Sequence, residues 1–173
     1  MGMDVYGHSP KTEEGEYFRA NVWGWRPIWD YCVQMHPHLV GDEPEYGHYN
    51  DGYGLDEEGA TRLGEAIEQD LRDGRAHAYI ESRNKYLAKL ERPECDWCDK
   101  TGIRTDKVGV DMGMPEKALD AVTAIMVGRT HGWCNGCNGE GRQDHPETLY
   151  SLEIGDLDEF AVFLINSGGF GIH

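Results

Sequence analysis

The chain has 173 residues, 32 acidic and 16 basic side chains, and a formal net charge of -16, so it is long enough for one domain with a sizeable core. A field of that sign repels phosphate backbones, and direct nucleic-acid binding is not expected. No run approaches the ~18 apolar residues of a membrane span, Tyr6 stands where a myristoylation signal has Ser or Thr, and the opening Met1-Gly2-Met3-Asp4 carries no secretory pattern. A cytoplasmic protein without a membrane anchor is expected.

In chain order, the first expected element is a helix over 27–36, with Pro27 in its first turn and Pro37 beyond its end. Trp25, Ile28, Trp29, Cys32 and Val33 recur at helical spacing and read as core. The stretch from Gly47 to Gly54 is dense in turn residues and predicts a tight loop. A helix follows with Asp56 as its N-cap, runs to Arg72 and is closed by Gly74; Ala60, Leu63, Ile67 and Leu71 form its buried stripe.

A second helix over 76–90 turns Ile80, Leu87 and Leu90 inward, and the two are expected to form an antiparallel hairpin. Residues 74–107 carry 8 basic and 6 acidic side chains, against 5 and 16 in residues 1–73 and 3 and 10 in residues 108–173. Any nucleic-acid contact would therefore fall on Arg75, Arg83, Lys85, Lys89, Arg92, Lys100, Arg104 and Lys107. Beyond them Pro115 opens a short helix with Leu119, Val122, Ile125 and Met126 on one side. Tyr150, Leu152 and Ile154 alternate with polar residues as a short strand, and Asp156 caps a last helix carrying Phe160, Phe163 and Leu164.

Five cysteines make an odd set, and in a reducing compartment the four in Cys-x-x-Cys pairs point to metal. Cys134-Asn-Gly-Cys137-Asn-Gly-Glu-Gly141 is a complete C-x-x-C-x-G-x-G, and Cys95-Asp-Trp-Cys98-Asp-Lys-Thr-Gly102 repeats it with Lys100 in place of the first glycine. A two-residue gap lets both sulfurs of a pair face one ion, and glycines permit the turn whose amides reach them. Four thiolates close a tetrahedral zinc site and leave no open position, which makes the ion structural rather than catalytic. Trp133-Cys134-x-x-Cys137 also looks like the thioredoxin fragment, but the glycines after Cys137 start a helix poorly and a second pair favours zinc. Cys32, left over, reads as a small buried hydrophobe.

The two knuckles resemble the cysteine-rich zinc motifs of the DnaJ family of co-chaperones. The resemblance covers about twenty residues and no J-domain is visible, so it implies metal ligation and not chaperone activity. Over most of its length the chain also resembles a family of uncharacterised bacterial and phage proteins. That resemblance rests on Met3-Asp4-Val5-Tyr6-Gly7, Gly15-Glu16-Tyr17-Phe18-Arg19, Trp25-Arg26-Pro27, Asn50-Asp51-Gly52, Gly128-Arg129-Thr130-His131-Gly132-Trp133 and Ser167-Gly168-Gly169-Phe170. It implies a phage or prophage setting, with the host cytoplasm as the location, and no named activity.

Arg26, His48, Asn50, Asp51 and His131 are polar residues on loops beside large aromatics, the mixture that lines a pocket for a small polar ligand. Turn chemistry and arginine stacking account for the same residues without a ligand. The expected fold is thus a helix-rich α+β single domain over 1–173 with a minor strand component. Its zinc knuckle comprises 95–102 and 134–141, around a partly helical insertion at 103–133. The expected function is a zinc-stabilised, non-enzymatic binding protein with one structural zinc and a basic protein surface, such as that of a nucleic-acid-binding protein, as partner. Two alternatives remain: a small hydrolase or nucleotide-processing enzyme using the 48–51 loop, and a nucleic-acid binder using the 75–107 basic segment and the zinc knuckle.

Overall fold

A computed structural model describes residues 2–173 as an α+β fold, with six helices and one four-stranded antiparallel sheet among them. Where one domain was expected, the chain divides into two compact units, Met1–Ala88 with Tyr150–His173, and Lys89–Leu149. The division follows burial. A large hydrophobic cluster fills the first unit, and the buried cluster of the second consists of four cysteines.

In the first unit, β1 (Gly2–Gly7) alternates buried Met3 and Val5 with Asp4 and Tyr6 on the other face, the period of a half-buried strand. It pairs with β2 (Tyr17–Asn21) on one side and with the C-terminal β4 (Phe170–Ile172) on the other. The short β3 (Gly54–Leu55) completes the order β2-β1-β4-β3. No strand was expected at any of these places, while the one expected at Tyr150–Ile154 is absent. Residues 150–153 are irregular, and Leu152 is nevertheless buried in the core.

Helix α1 (Val22–Met35) begins earlier than the proline implied, because the Asn21 side chain accepts the Gly24 N–H at 2.9 Å and caps it there. Pro27 therefore lies inside the helix, where it withholds the N–H that would have reached the Trp23 carbonyl. Packing compensates: Trp25, Ile28, Trp29 and Cys32 are fully buried in the same core as Leu63 and Ile67, and Val33 packs against it from a half-buried position. The indole N–H of Trp25 donates to the Gly47 carbonyl at 2.7 Å and that of Trp29 to Pro44 at 2.6 Å, which fastens the 3-10 turn Pro44–His48 onto the helix. A Cβ on Gly47 would stand 2.1 Å from the Trp29 ring, so only glycine fits there.

Helix α2 (Glu57–Asp73) runs from its Asp56 cap to a left-handed Gly74, as expected. Helix α3 (Arg75–Leu87) follows after that single residue, and α2 packs chiefly on α6 (Ile154–Asn166) rather than folding back as a hairpin with α3. Glu153 is the N-cap of α6, and Asp156 is the third helical residue that completes the capping box, one role later than expected.

Asp70 on α2 is fully buried and accepts hydrogen bonds from Tyr31 Oη at 2.6 Å and His36 Nε2 at 2.9 Å, with Arg75 Nη2 2.6 Å from its second oxygen. This carboxylate ties the end of α1 to the junction of α2 and α3. It is a buried charge made tolerable by three polar partners.

Candidate metal centre

Each Cys-x-x-Cys pair opens a short turn, and the turns repeat atom for atom at an offset of 39 residues. In the first, Lys100 N donates to Cys95 O at 3.2 Å, Thr101 N to Cys98 O at 3.0 Å and Gly102 N to Cys98 Sγ at 3.2 Å. In the second, Gly139 N donates to Cys134 O at 3.1 Å, Glu140 N to Cys137 O at 3.0 Å and Gly141 N to Cys137 Sγ at 3.2 Å. Amides aimed at sulfur stabilise thiolate.

The same turn requires left-handed backbone at equivalent positions: Asp99 and Lys100 have φ of 48° and 68°, Asn138 and Gly139 50° and 77°. Lys100 thus holds by constraint the conformation that glycine takes freely at position 139. Backbone packs on backbone across the pair. A Cβ on Gly102 would meet the Gly139 carbonyl at 2.1 Å, and one on Gly141 would meet the Lys100 carbonyl at the same distance.

The four sulfurs lie within 4.8 Å of one another, and all four residues are buried. Cys95 Sγ is 3.8 Å from Cys134 Sγ, and Cys98 Sγ is 3.6 Å from Cys137 Sγ. Four thiolates placed tetrahedrally at ~2.3 Å from one ion would stand about 3.8 Å apart, whereas a disulfide would draw a pair to ~2.05 Å. The observed spacing fits the first arrangement, so Cys95, Cys98, Cys134 and Cys137 together form a site that can hold a metal ion. Burial pushes the Cys137 thiol up to about 12 and raises Cys98 as well. At Cys95 the same desolvation is outweighed by hydrogen bonds from Cys98, the Trp97 backbone and the facing cysteines, and the thiol is lowered. A bound divalent cation supplies the counter-charge that keeps such thiols ionised.

Residues that the cysteine pattern alone did not disclose complete the shell. Arg129 Nη2 donates to the Gly102 and Gly139 carbonyls, each at 2.7 Å, and so clamps one knuckle to the other. Its place in the Gly128-Arg129-Thr130-His131-Gly132-Trp133 run ahead of Cys134 was the only signal in the sequence. Arg104 lies over the Trp97 ring at 4.5 Å and pairs with Asp106 at 2.7 Å. Glu94 bridges to Arg142, and Cys95 N donates to Gly141 O at 2.9 Å.

The insertion between the pairs folds back on itself. Ala118 bridges His131, Leu119 N donates to Thr130 O at 2.9 Å and Gly132 N to Lys117 O at 2.9 Å. It carries α4 (Lys107–Asp111) and α5 (Ala121–Val127), the latter capped by Asp120 rather than opened by Pro115. Val122, Ile125 and Met126 share a side of α5 as expected, but at 68%, 83% and 73% they are exposed.

Of the five polar residues read as a possible ligand site, four have a partner of their own. Arg26 Nη1 donates to Tyr150 Oη at 3.1 Å, His48 Nε2 is 3.2 Å from Asp30 Oδ1, and Asn50 Nδ2 donates to Gly2 O at 3.1 Å. Asp51 is exposed, and His131 belongs to the other unit, beside Thr130 Oγ1 at 3.0 Å. Of the eight basic residues at 75–107, six are ion-paired: Arg75 with Asp70, Lys85 with Glu81, Arg92 with Glu140 and Asp144, Lys100 with Glu94, Arg104 with Asp106 and Lys107 with Asp111. Among the described residues no helix is long and apolar enough to cross a membrane. No family model, curated protein or solved structure matches the chain.

Proposed function

We propose that the four cysteines hold one structural zinc ion and that the chain is an acidic, non-enzymatic binding protein whose partner is a basic protein surface. Zinc is the ion whose preference for four thiolates in a closed tetrahedron best suits this donor set. The closed site supports a structural role, because all four positions are taken by protein sulfur and none is left for substrate or water. The observation that carries the reading of the partner is the charge. With a formal net charge of -16 and most of the basic middle already neutralised by carboxylates, the protein is complementary to a basic surface, including one built to receive nucleic acid. A phage or prophage setting, implied by the resemblance of the sequence motifs, is compatible with that role.

The purified protein should contain about one zinc per chain by elemental analysis. Immobilised on a resin, it should retain basic proteins that are released by raising the salt, since exposed charges are screened beyond ~8 Å at physiological ionic strength. It should not shift duplex DNA at that salt. Salt-sensitive DNA binding abolished by Arg83→Ala with Lys89→Ala would overturn this reading in favour of the basic segment.

A further inference from the structure

We infer that the free edge of β2 is the docking site for an extended basic segment of the partner, which adds a fifth strand to the sheet. The inference rests on the reading that the partner is basic, and adds where and how it binds. β2 ends the order β2-β1-β4-β3, so no strand among the described residues covers its outer side.

The phase of the ladder tells which groups face outward. Gly7 N donates to Glu16 O at 3.0 Å, and bonded positions in an antiparallel pair recur at every second residue, which makes Val5 with Phe18 and Met3 with Ala20 the bonded pairs. From the other side of β1, Asp4 exchanges both backbone bonds with His173, at 3.2 and 2.8 Å, as that phase requires. The N–H and C=O groups of Tyr17 and Arg19 therefore point away from the sheet, the template that a further strand uses.

The side chains define what the added strand must carry. Phe18 and Ala20, on the core side, are only partly buried and pack against the core, so alternate apolar residues of an incoming strand would cover them. On the opposite face Tyr17 and Tyr6 stand 41% and 48% exposed with ring centroids 5.1 Å apart, a surface on which a lysine stem or a guanidinium can lie. Glu13, Glu14 and Glu16, just ahead of β2, are exposed and form no ion pair among the described residues, whereas Lys11 is held by Glu57 at 2.9 Å and Arg19 leans on Asp4 at 3.8 Å. The edge is therefore negative. An extended segment alternating basic and apolar residues fits it, and a second copy of this chain, bearing the same charge, is repelled.

The test uses the full, metal-loaded chain and two blocked octapeptides, one alternating valine with lysine and one alternating valine with glutamate, followed by fluorescence anisotropy at low salt. Arg19→Pro removes an outward N–H and leaves the β1 ladder intact, since edge strands tolerate proline and Phe18 is already extended. Arg19→Thr controls for the lost charge. The lysine peptide should bind wild type and Arg19→Thr, and bind Arg19→Pro about tenfold or more weakly, because a lost backbone pairing weighs on that scale. The glutamate peptide should not bind. Should Arg19→Pro unfold, the lysine peptide N-methylated at alternate residues provides the same comparison against wild type and should likewise bind about tenfold more weakly. Equal binding by Arg19→Pro, or by the N-methylated peptide, would overturn the edge while leaving a basic partner in place. Failure of every basic probe at low salt would overturn both. A dimer in sedimentation that Arg19→Pro dissolves would assign the edge to a second copy instead, and would also overturn the inference.

Discussion

The unit built from Met1–Ala88 and Tyr150–His173 and the unit Lys89–Leu149 solve the problem of stability in opposite ways. The first buries Trp25, Trp29, Tyr31, Phe160, Phe163 and Phe170 in one hydrophobic core. The second has a buried cluster of four cysteines, and the apolar side chains of its longer helix face outward. A segment of that size rarely gains more than ~3–5 kcal/mol from a hydrophobic core, whereas apparent zinc-binding energies in small zinc-finger peptides are about 10–16 kcal/mol. What the contrast teaches is that a cysteine cluster able to hold a metal takes the place of a core in a unit that leaves apolar residues such as Val122, Ile125 and Met126 on its surface.

The sharpest way to break this comparison is to remove the metal. Chelation, or Cys137→Ser, should release amide protection throughout Lys89–Leu149 while the amides of α2 and α6 stay protected, as read by hydrogen exchange. Unchanged protection around Cys95 and Cys134 after the metal is gone would show that the segment holds its fold by other means. Next in size is the complementary change. Trp29→Ala, in the fully buried stripe of α1, should cost about 3–5 kcal/mol by urea unfolding and leave the metal content at one ion per chain.

Alkaline pH should also separate the two units. Burial raises Cys32 above its ordinary value, and burial with the Asp70 hydrogen bond raises Tyr31. Groups raised in this way stabilise fully below their unfolded values, and the stability is lost as pH climbs from there towards the folded values. With an unfolded cysteine near ~8.5, the core unit should lose about 1–2 kcal/mol by pH ~10, measured from the urea midpoint at pH 7 and pH 10. Metal-bound thiolates have no such proton to lose, so the cysteine unit should not weaken in that window. The smallest effect belongs to the knuckle turn. Lys100→Gly should relieve a left-handed non-glycine residue and raise the stability of the metal unit by about 1 kcal/mol, net of the exposed pair with Glu94. A lower melting temperature of that unit would mean that the ion pair outweighs the strain.

Several features were legible in the sequence because their causes are local. The paired Cys-x-x-Cys spacing, the Asp56 cap and Gly74 stop of α2, and the Trp25-Ile28-Trp29-Cys32 stripe depend on residues within a few positions of one another, and each appears as read. The start of α1 was misread because Asn21, a good capping residue, acts six residues before the more conspicuous Pro27. The sheet was missed for a different reason: β4, at the C-terminus, lies between β1 and β3, so its partners are far away in sequence and two of its strands are only two or three residues long.

The sequence by itself determined the four cysteines that meet, the Asp56 cap and Gly74 stop of α2 and the strongly acidic charge, since spacing, capping and composition are properties of neighbouring residues or of plain sums. Only the tertiary structure decided that Asp70 is buried against Tyr31 and His36, that Arg129 clamps the two knuckles, that Arg92 pairs with Glu140 and Asp144, and which edge of the sheet is left open. Each of these depends on which distant groups meet once loop closure has been compensated by burial or by metal, and no local pattern records that choice.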